Sequence, residues 1–379
     1  IEAAGWFGAM SPLYGGLLGP TITWIGAAGG NWNTASNWSS GAVPLATDDV
    51  YIGLPAGQSV TISSGTVNVK SLTCDADLTL SGDATLILNG DSLINGKLTL
   101  AGGTLGGTGA VTVTGAFDVT GSQSILSGTG TLTTQGVSTV SMAAGGGFLR
   151  IIEGKTWVNE GTLTIGDDDY LFFGYFSGGT NTLTNAAGAT LNLSSTAATP
   201  LSFYTGTATF NNFGTLNQTA TGAHAISGGI AFNNTGTVNV DVGTLTIAGG
   251  GTDSGLYAVD AGTTLNFSGG TRNLNTGTNV TGLGTLAVSG ATVNANNLLD
   301  IAATGAALNV SNGVLNVNGG AASGVLAPVS ISGGTLNFNT TSAVTLPSLT
   351  LSGGELGGTG AVMVTEAFNV TGSSIISGE

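Results

Sequence analysis

The chain has 379 residues, of which 67 are glycine, and its twenty acidic and five basic residues give a formal net charge of −15. A composition with 41% hydrophobic and only 7% charged residues excludes a disordered tail, which combines low hydrophobicity with high charge. Nucleic-acid binding requires clusters of basic residues that neutralise phosphates, and five dispersed basic residues form no such cluster. We therefore expect no nucleic-acid partner.

The first twenty residues are apolar but interrupted. A transmembrane helix needs about twenty predominantly apolar residues with few breakers, whereas Pro12, Pro20 and several glycines divide this stretch. Residues 1–20 are therefore predicted to form an extended apolar arm and no transmembrane segment. Because its large side chains would otherwise form an exposed patch, we expect the arm to pack on the rest of the chain or on another subunit. These side chains are Trp6, Phe7, Met10, Leu13, Tyr14, Leu17 and Leu18.

Residues 21–53 are predicted to form a tryptophan-rich capping module. Trp24, Trp32 and Trp38 lie within fifteen residues of one another on a Gly- and Asn-rich scaffold. Such a cluster either stacks on sugar rings or covers the end of a repetitive core. We favour the cap, because a stacked repeat requires one and because Asp48 and Asp49 suit a turn.

From residue 54 to residue 379 apolar and polar residues alternate in short runs. Val238 and Val240 flank Asn239, for example, which is the period-two pattern of a half-buried strand. Glycine, Asn, Asp, Ser and Thr separate the runs, and no helical periodicity with caps is present. The segments Phe210–Asn217 and Phe232–Asn239 are offset by 22 residues and agree at six of eight positions. Three short strands and three turns need about that many residues, so the pattern predicts an all-β, parallel, right-handed, three-sided β-solenoid.

The repeated Asn-x-Gly-Thr phrase predicts ladders of identical side chains that stack from one turn of the solenoid, or rung, to the next. Its glycines continue as Gly262 and Gly284, with steps between 22 and 27 residues along the series. The predicted ladder residues are Asn159, Asn185, Asn212 and Asn234, with Gly161, Gly188, Gly214 and Gly236.

A second repeat is much longer. Residues 97–122 return at 348–373 with 20 of 26 identities. A repeat this close, ending near Glu379, leads us to expect either a longer repetitive chain or two ends that match each other. Both indicate an extended assembly.

Few residues carry chemistry. Cys74 is predicted to be a small buried hydrophobe, and the single histidine, His224, to be structural or solvent-facing, because a triad or zinc site needs partners. Asp167–Asp169 form the densest acidic stretch, interpreted as a solvated loop with a calcium site as the alternative. Asp241 and Asp260 are possible neighbours across a rung. We expect no catalytic residue, cofactor or metal.

The tryptophan segment at 30–50, the Gly-Gly-Thr-Leu-Gly-Gly-Thr-Gly phrase within 98–109 and the Asn-x-Gly-Thr phrases at 159–238 resemble bacterial β-strand-repeat, or filamentous-haemagglutinin-like, surface proteins. They are also similar to autotransporter passenger domains. The resemblance implies an extracellular or cell-surface β-solenoid. We therefore expect a non-catalytic structural protein that associates end to end into filaments or matrix fibres. The alternatives are a monomeric adhesin or stalk that binds surface glycans and, third, a polysaccharide-degrading enzyme.

Overall fold

The computed structural model describes residues 21–143, 145–296, 306–319 and 326–378. These contain 44 strands, one 3-10 turn at Ala35–Asn37 and no α-helix. In chain order the strands are β1 (Thr21–Thr23), β2 (Gly30–Asn31), β3 (Asp49–Ile52), β4 (Ser59–Ile62), β5 (Thr66–Val69), β6 (Ser71–Cys74), β7 (Asp77–Ser81), β8 (Thr85–Leu88), β9 (Ser92–Ile94), β10 (Leu98–Ala101), β11 (Thr104–Gly106), β12 (Val111–Val113), β13 (Phe117–Gly121), β14 (Ile125–Leu126), β15 (Thr131–Thr134), β16 (Val137–Val140), β17 (Phe148–Ile151), β18 (Thr156–Asn159), β19 (Thr162–Ile165), β20 (Tyr170–Phe173), β21 (Thr180–Asn185), β22 (Thr190–Leu193), β23 (Leu201–Phe203), β24 (Thr207–Asn212), β25 (Thr215–Gln218), β26 (Ala223–Ile226), β27 (Ile230–Asn234), β28 (Thr237–Val240), β29 (Thr244–Ile247), β30 (Gly251–Asp253), β31 (Leu256–Val259), β32 (Thr264–Phe267), β33 (Thr271–Leu274), β34 (Asn279–Gly282), β35 (Thr285–Val288), β36 (Thr292–Ala295), β37 (Ala307–Val310), β38 (Val314–Asn318), β39 (Val329–Ile331), β40 (Thr335–Asn339), β41 (Val344–Leu351), β42 (Gly354–Gly357), β43 (Val362–Val370) and β44 (Ser374–Ile376).

The strands stack into three parallel sheets, so the predicted all-β, three-sided parallel solenoid is confirmed. Sheet 1 has 17 strands from β1 to β44, sheet 2 has 12 strands from β2 to β34, and sheet 3 has 15 strands from β5 to β43. Each strand pairs with the strand one rung away, as in the register of β21 on β24 and of β22 on β25. At about 4.8 Å per rung, sheet 1 makes a rod about 80 Å long.

Alternation of side chains explains why these sequences form the sheets. In β28, Val238 and Val240 are fully buried while Asn239 lies on the outer face. Most other strands show the same inward and outward pattern, and the inward residues join one core that runs from Trp24 to Leu356. Full burial of a Val or Leu side chain contributes roughly 1.5–3 kcal/mol, so the core stabilises the rod along its whole length.

The glycines of the repeated phrase form a close-packed column at the corner that follows sheet 1. A Cβ on Gly236 would lie 2.1 Å from the carbonyl oxygen of Gly214, and a Cβ on Gly255 would lie 2.2 Å from that of Gly236. The next member after Gly236 is therefore Gly255 and not Gly262, which corrects the predicted spacing. Gly262 lies in open space at the corner between sheets 2 and 3.

The coil begins before the predicted boundary at residue 53. Strand β1 already pairs with β3 in sheet 1, and β2 pairs with β4 in sheet 2. The tryptophan-rich segment is thus the first rung of the solenoid rather than a separate module. The predicted apolar arm, residues 1–20, lies outside the described residues.

The duplicated sequence occupies different faces of the rod in its two copies. Leu98–Ala101 belongs to sheet 2 through its pairing with β7 and β13, whereas the matching residues 349–352 follow the register of β41, which pairs in sheet 3. Strand β41 is eight residues long, and its pairing with β43 shifts register between Leu346 and Ser348.

No helix capable of crossing a bilayer occurs in the part of the chain that the structure describes.

Candidate functional site

The three tryptophans of the first rung pack on one another at the end of the core. The ring centroids of Trp24 and Trp38 are 4.9 Å apart and those of Trp32 and Trp38 are 4.7 Å apart, both edge to face. All three side chains are buried, and Trp38 Nε1 donates a hydrogen bond to the carbonyl of Trp32 at 2.7 Å. Their ring faces are therefore covered, which supports the capping interpretation over the sugar-stacking one.

The four predicted asparagines form one continuous hydrogen-bonded ladder inside the rod. Asn159 donates to Asn185 at 2.8 Å, Asn185 to Asn212 at 2.8 Å and Asn212 to Asn234 at 2.9 Å. All four side chains are fully buried, and each amide also donates to the backbone carbonyl of the first residue of the sheet 2 strand in the next rung. The bonds all run in one direction, so each amide polarises the next.

The glycines beside this ladder behave differently from one another. Gly161, Gly214 and Gly236 lie in the close-packed corner, where a Cβ would approach a carbonyl oxygen within 2.3 Å. Gly188 has open space around it and a φ of +84°, because the turn between β21 and β22 is longer. Its place beneath Gly214 is taken by Ala189, whose carbonyl oxygen lies closest to the Gly214 Cβ position.

A buried ion pair follows the ladder, and the repeated phrase did not reveal it. Asp253 takes the position after Asn234 in the same register, and Arg272 of β33 donates from Nη2 to both its carboxylate oxygens at 2.6 Å. Tyr257 donates to Asp253 at 2.7 Å, and the guanidinium lies between the rings of Phe232 and Phe267. Burial raises the pKa of Asp253, and the charge of Arg272 opposes this shift.

The single cysteine, Cys74, and the single histidine, His224, both have structural roles. Cys74 is buried, as predicted, and burial raises the pKa of its thiol to about 12. His224 is 3% exposed, and its two ring nitrogens lie 2.7 Å from the carbonyl oxygens of Ala197 and Thr221. Since both nitrogens are occupied by backbone groups, His224 is a structural residue.

The side chains of Asp167–Asp169 differ in burial. The interpretation of this stretch as a solvated loop is therefore wrong for Asp169. Asp169 is fully buried and accepts a hydrogen bond from the Met142 amide at 2.6 Å, and burial raises its pKa. Asp167 is exposed and accepts from the Ser141 hydroxyl. Among the described residues no group of three or more His, Cys, Asp or Glu side chains converges on a metal position.

Asp241 and Asp260 are neighbours across a rung. Partial burial raises the pKa of Asp241, and the negative charge of Asp260 adds to the shift. Both residues are exposed at the surface of the rod.

An exposed aromatic cluster breaks the pattern of sheet 3. We use this name for Phe148, Tyr170, Phe172, Tyr175, Phe176 and Tyr204. On the outer face of β17 and β20, Phe148 pairs in register with Tyr170, and Arg150 pairs with Phe172. The loop after β20 brings Tyr175 over them, with its ring centroid 5.4 Å from Phe148 and 5.6 Å from Phe172.

The outer edge of this cluster is formed by the two most accessible rings. Tyr175 lies 4.3 Å from Phe176 and 5.3 Å from Tyr204, between ring centroids. Phe176 is 75% exposed and Tyr204 is 53% exposed. The sequence analysis did not identify this cluster. The available signal was period-two alternation, which puts Tyr170 and Phe172 on the polar face.

The last described rung carries apolar side chains that no following described strand covers. Phe117 of the first repeat copy is fully buried, but its counterpart Phe368 is 50% exposed. In the first copy, β13 lies between two neighbouring strands, whereas β43 pairs only with β41 among the described residues. The exposed apolar residues of this rung are Met363, Phe368, Val370, Ile375 and Ile376.

Comparison with known proteins gives no relationship: no protein-family model, curated protein sequence or solved structure matches this chain.

Proposed function

We propose that this chain is a non-catalytic structural protein of the cell surface or extracellular space, and that it associates end to end into filaments or matrix fibres. The observation that carries the proposal is the continuous parallel pairing of the three sheets. Unpaired backbone groups of a solenoid are confined to its first and last strands, and such edges readily pair with another chain. A stiff rod whose reactive surfaces are its ends is suited to linear assembly.

In the proposed contact, strand β43 of one copy, which carries Phe368 and Val370, pairs with the first rung of the next copy. Such a contact is favourable, because burial of apolar area and completion of strand hydrogen bonds act together. The proposed extracellular location rests on the sequence phrases that resemble those of bacterial β-strand-repeat surface proteins.

Electron microscopy of the purified chain tests the proposal. We expect fibres whose subunit repeat is about 80 Å, at about 4.8 Å per rung. Phe368→Asp should abolish them, because it places a charge in the apolar contact. Phe176→Asp is the matched control, since Phe176 is also exposed but lies on the side of the rod, and it should leave fibres intact. Deletion of residues 1–20 tests the arm separately. Single rods in the wild-type sample at every concentration would refute end-to-end assembly.

The second candidate function is an adhesive stalk, and the exposed aromatic cluster favours it. Aromatic side chains that cluster on the side of a rod form a contact surface, because a contiguous exposed apolar patch marks an interaction site. A stalk of this kind would remain a single rod in the microscope and would bind its partner laterally.

An enzyme that degrades polysaccharides is the third candidate. Asp241 and Asp260 are the pair that a glycosidase mechanism would require. Their exposed position favours a solvated pair over a catalytic one. The carboxylates of an active site usually lie in a cleft, where burial and neighbouring charges shift their pKa values. Hydrolysis assays of the wild type and of Asp241→Asn separate the two cases.

A further inference from the structure

The exposed aromatic cluster is out of place on sheet 3. Most outward positions of this sheet elsewhere carry small or polar residues, such as Thr85 in β8, Thr244 in β29 and Thr285 in β35, and the aliphatic exceptions include Ile87 in β8 and Ile125 in β14. In β17 and β20 the same positions carry Phe148, Arg150, Tyr170 and Phe172. Threonine has high strand propensity and suits the solvated face, so the sheet has no structural need for these rings.

The loop that completes the cluster holds its outermost ring away from the core. Phe176 has a φ of +58°, a left-handed conformation that is unfavourable for an aromatic residue. Gly174, with a φ of +75°, turns the chain out of β20 just before it. The hydroxyl groups of Tyr175 and Tyr204 have no hydrogen-bond partner in the described part of the chain. The result is a set of ring faces bordered by free polar groups.

We propose that the exposed aromatic cluster binds a neutral glycan. The axial C–H groups of a sugar ring stack on the electron-rich face of an aromatic ring, and tyrosine hydroxyls bond to sugar hydroxyls. The ring centroids of Tyr175, Tyr204 and Phe176 lie 4.3 to 5.6 Å apart, so a single chain of sugars can contact all three rings. The inference deepens the adhesive-stalk alternative and does not depend on end-to-end assembly.

The charges of this chain favour a neutral ligand over a cationic ligand, an anionic ligand or a second copy of the chain. Arg150 already lies over Phe148 at 5.7 Å and over Tyr175 at 5.6 Å, so the cation position above these rings is filled. The formal net charge of −15 disfavours the approach of an anionic polysaccharide to this chain. A second copy of this chain would bring another net charge of −15 to the same surface. A neutral glycan meets none of these penalties.

Affinity gel electrophoresis tests the proposal with defined neutral polysaccharides: hydroxyethyl cellulose, mixed-linkage β-glucan and galactomannan. We expect at least one to retard the wild-type chain. Phe176→Ala and Tyr204→Ala should each weaken that retardation by at least tenfold. Phe213→Ala is the matched control, because Phe213 is an exposed phenylalanine outside the cluster, and it should behave as the wild type. All three substituted side chains are exposed, and circular dichroism checks that each variant is folded.

Four results would overturn the assignment. No retardation by any of the three neutral polysaccharides is one, and retardation that the cluster variants retain is another. The third is retardation by alginate or polygalacturonate alone, which would mean an anionic ligand. The fourth is a concentration-dependent dimer in sedimentation that Phe176→Ala abolishes, which would mean that the cluster contacts a second copy. Fibre formation by Phe176→Ala is measured independently, so failure of this inference leaves the assembly proposal untouched.

Discussion

Replacement of Asn212 by alanine should remove the centre of the buried asparagine ladder. The Asn212 side chain is fully buried and takes part in three hydrogen bonds. It accepts from Asn185 at 2.8 Å and donates to Asn234 at 2.9 Å and to the carbonyl of Thr237 at 3.0 Å. The substitution leaves the Oδ1 atom of Asn234 without this donor, while the Asn185 amide keeps its bond to the Thr215 carbonyl at 2.9 Å.

The expected loss of stability follows from these contacts. A buried hydrogen bond contributes roughly 0.5–1.5 kcal/mol net, so three of them amount to roughly 1.5–4.5 kcal/mol, and an orphaned acceptor keeps the sum near its upper end. Asn211→Ala is the matched control, because the adjacent side chain lies on the outer face and accepts one bond from Asn233 at 3.0 Å. We expect it to cost less than about 1 kcal/mol.

Hydrogen exchange is the assay best suited to a solenoid. Each rung contacts its neighbours alone, so a local defect opens a few rungs before the rod unfolds as a whole. Asn212→Ala should raise the exchange rates of amides in β21, β24 and β27, and leave those in β3 and β6 unchanged. If the amides of β24 exchange equally slowly in the wild type and in Asn212→Ala, the ladder does not stabilise the rod. An equal loss of protection in Asn211→Ala would refute the same view.

Three further predictions concern buried ionisable groups. Arg272→Met should lower the free energy of unfolding by about 3–5 kcal/mol, measured with denaturant, because it leaves the Asp253 carboxylate without its buried ion-pair partner. The double variant Arg272→Met with Asp253→Leu should recover most of this loss. A double variant whose loss equals the sum of the two single losses would contradict this prediction. Lys155 is fully buried, and burial lowers its pKa to about 8 from 10.5. The unfolded chain therefore binds this proton more tightly, so from pH 8 to 10.5 the wild type should gain about 3 kcal/mol of stability relative to Lys155→Met, as measured by denaturation of both proteins at both pH values. The Cys74 thiol, with a pKa of about 12, should react with a neutral disulfide reagent at pH 8 only after unfolding, and rapid labelling of the native chain would contradict its burial.

The sequence by itself determined the local structure of the rod. Alternation around Asn239 specifies which side chains point inward, because successive residues of a strand face opposite sides. The recurring asparagines indicated a ladder, because a repeat that stacks in register brings identical positions together. Both inferences need only short-range patterns and the assumption of stacking.

Only the tertiary structure decided which sheet each segment joins and which distant residues meet, because both depend on the number of residues in all the preceding rungs. The duplicated sequence begins on sheet 2 in its first copy and on sheet 3 in its second copy. The sheet that it joins is set by the number of residues in the rungs before it. In the same way Asp253 meets Arg272 from 19 residues away, and Tyr204 reaches Tyr175 from the next rung. No local pattern encodes these meetings, since the length of each rung varies and only the folded coil brings the partners into register.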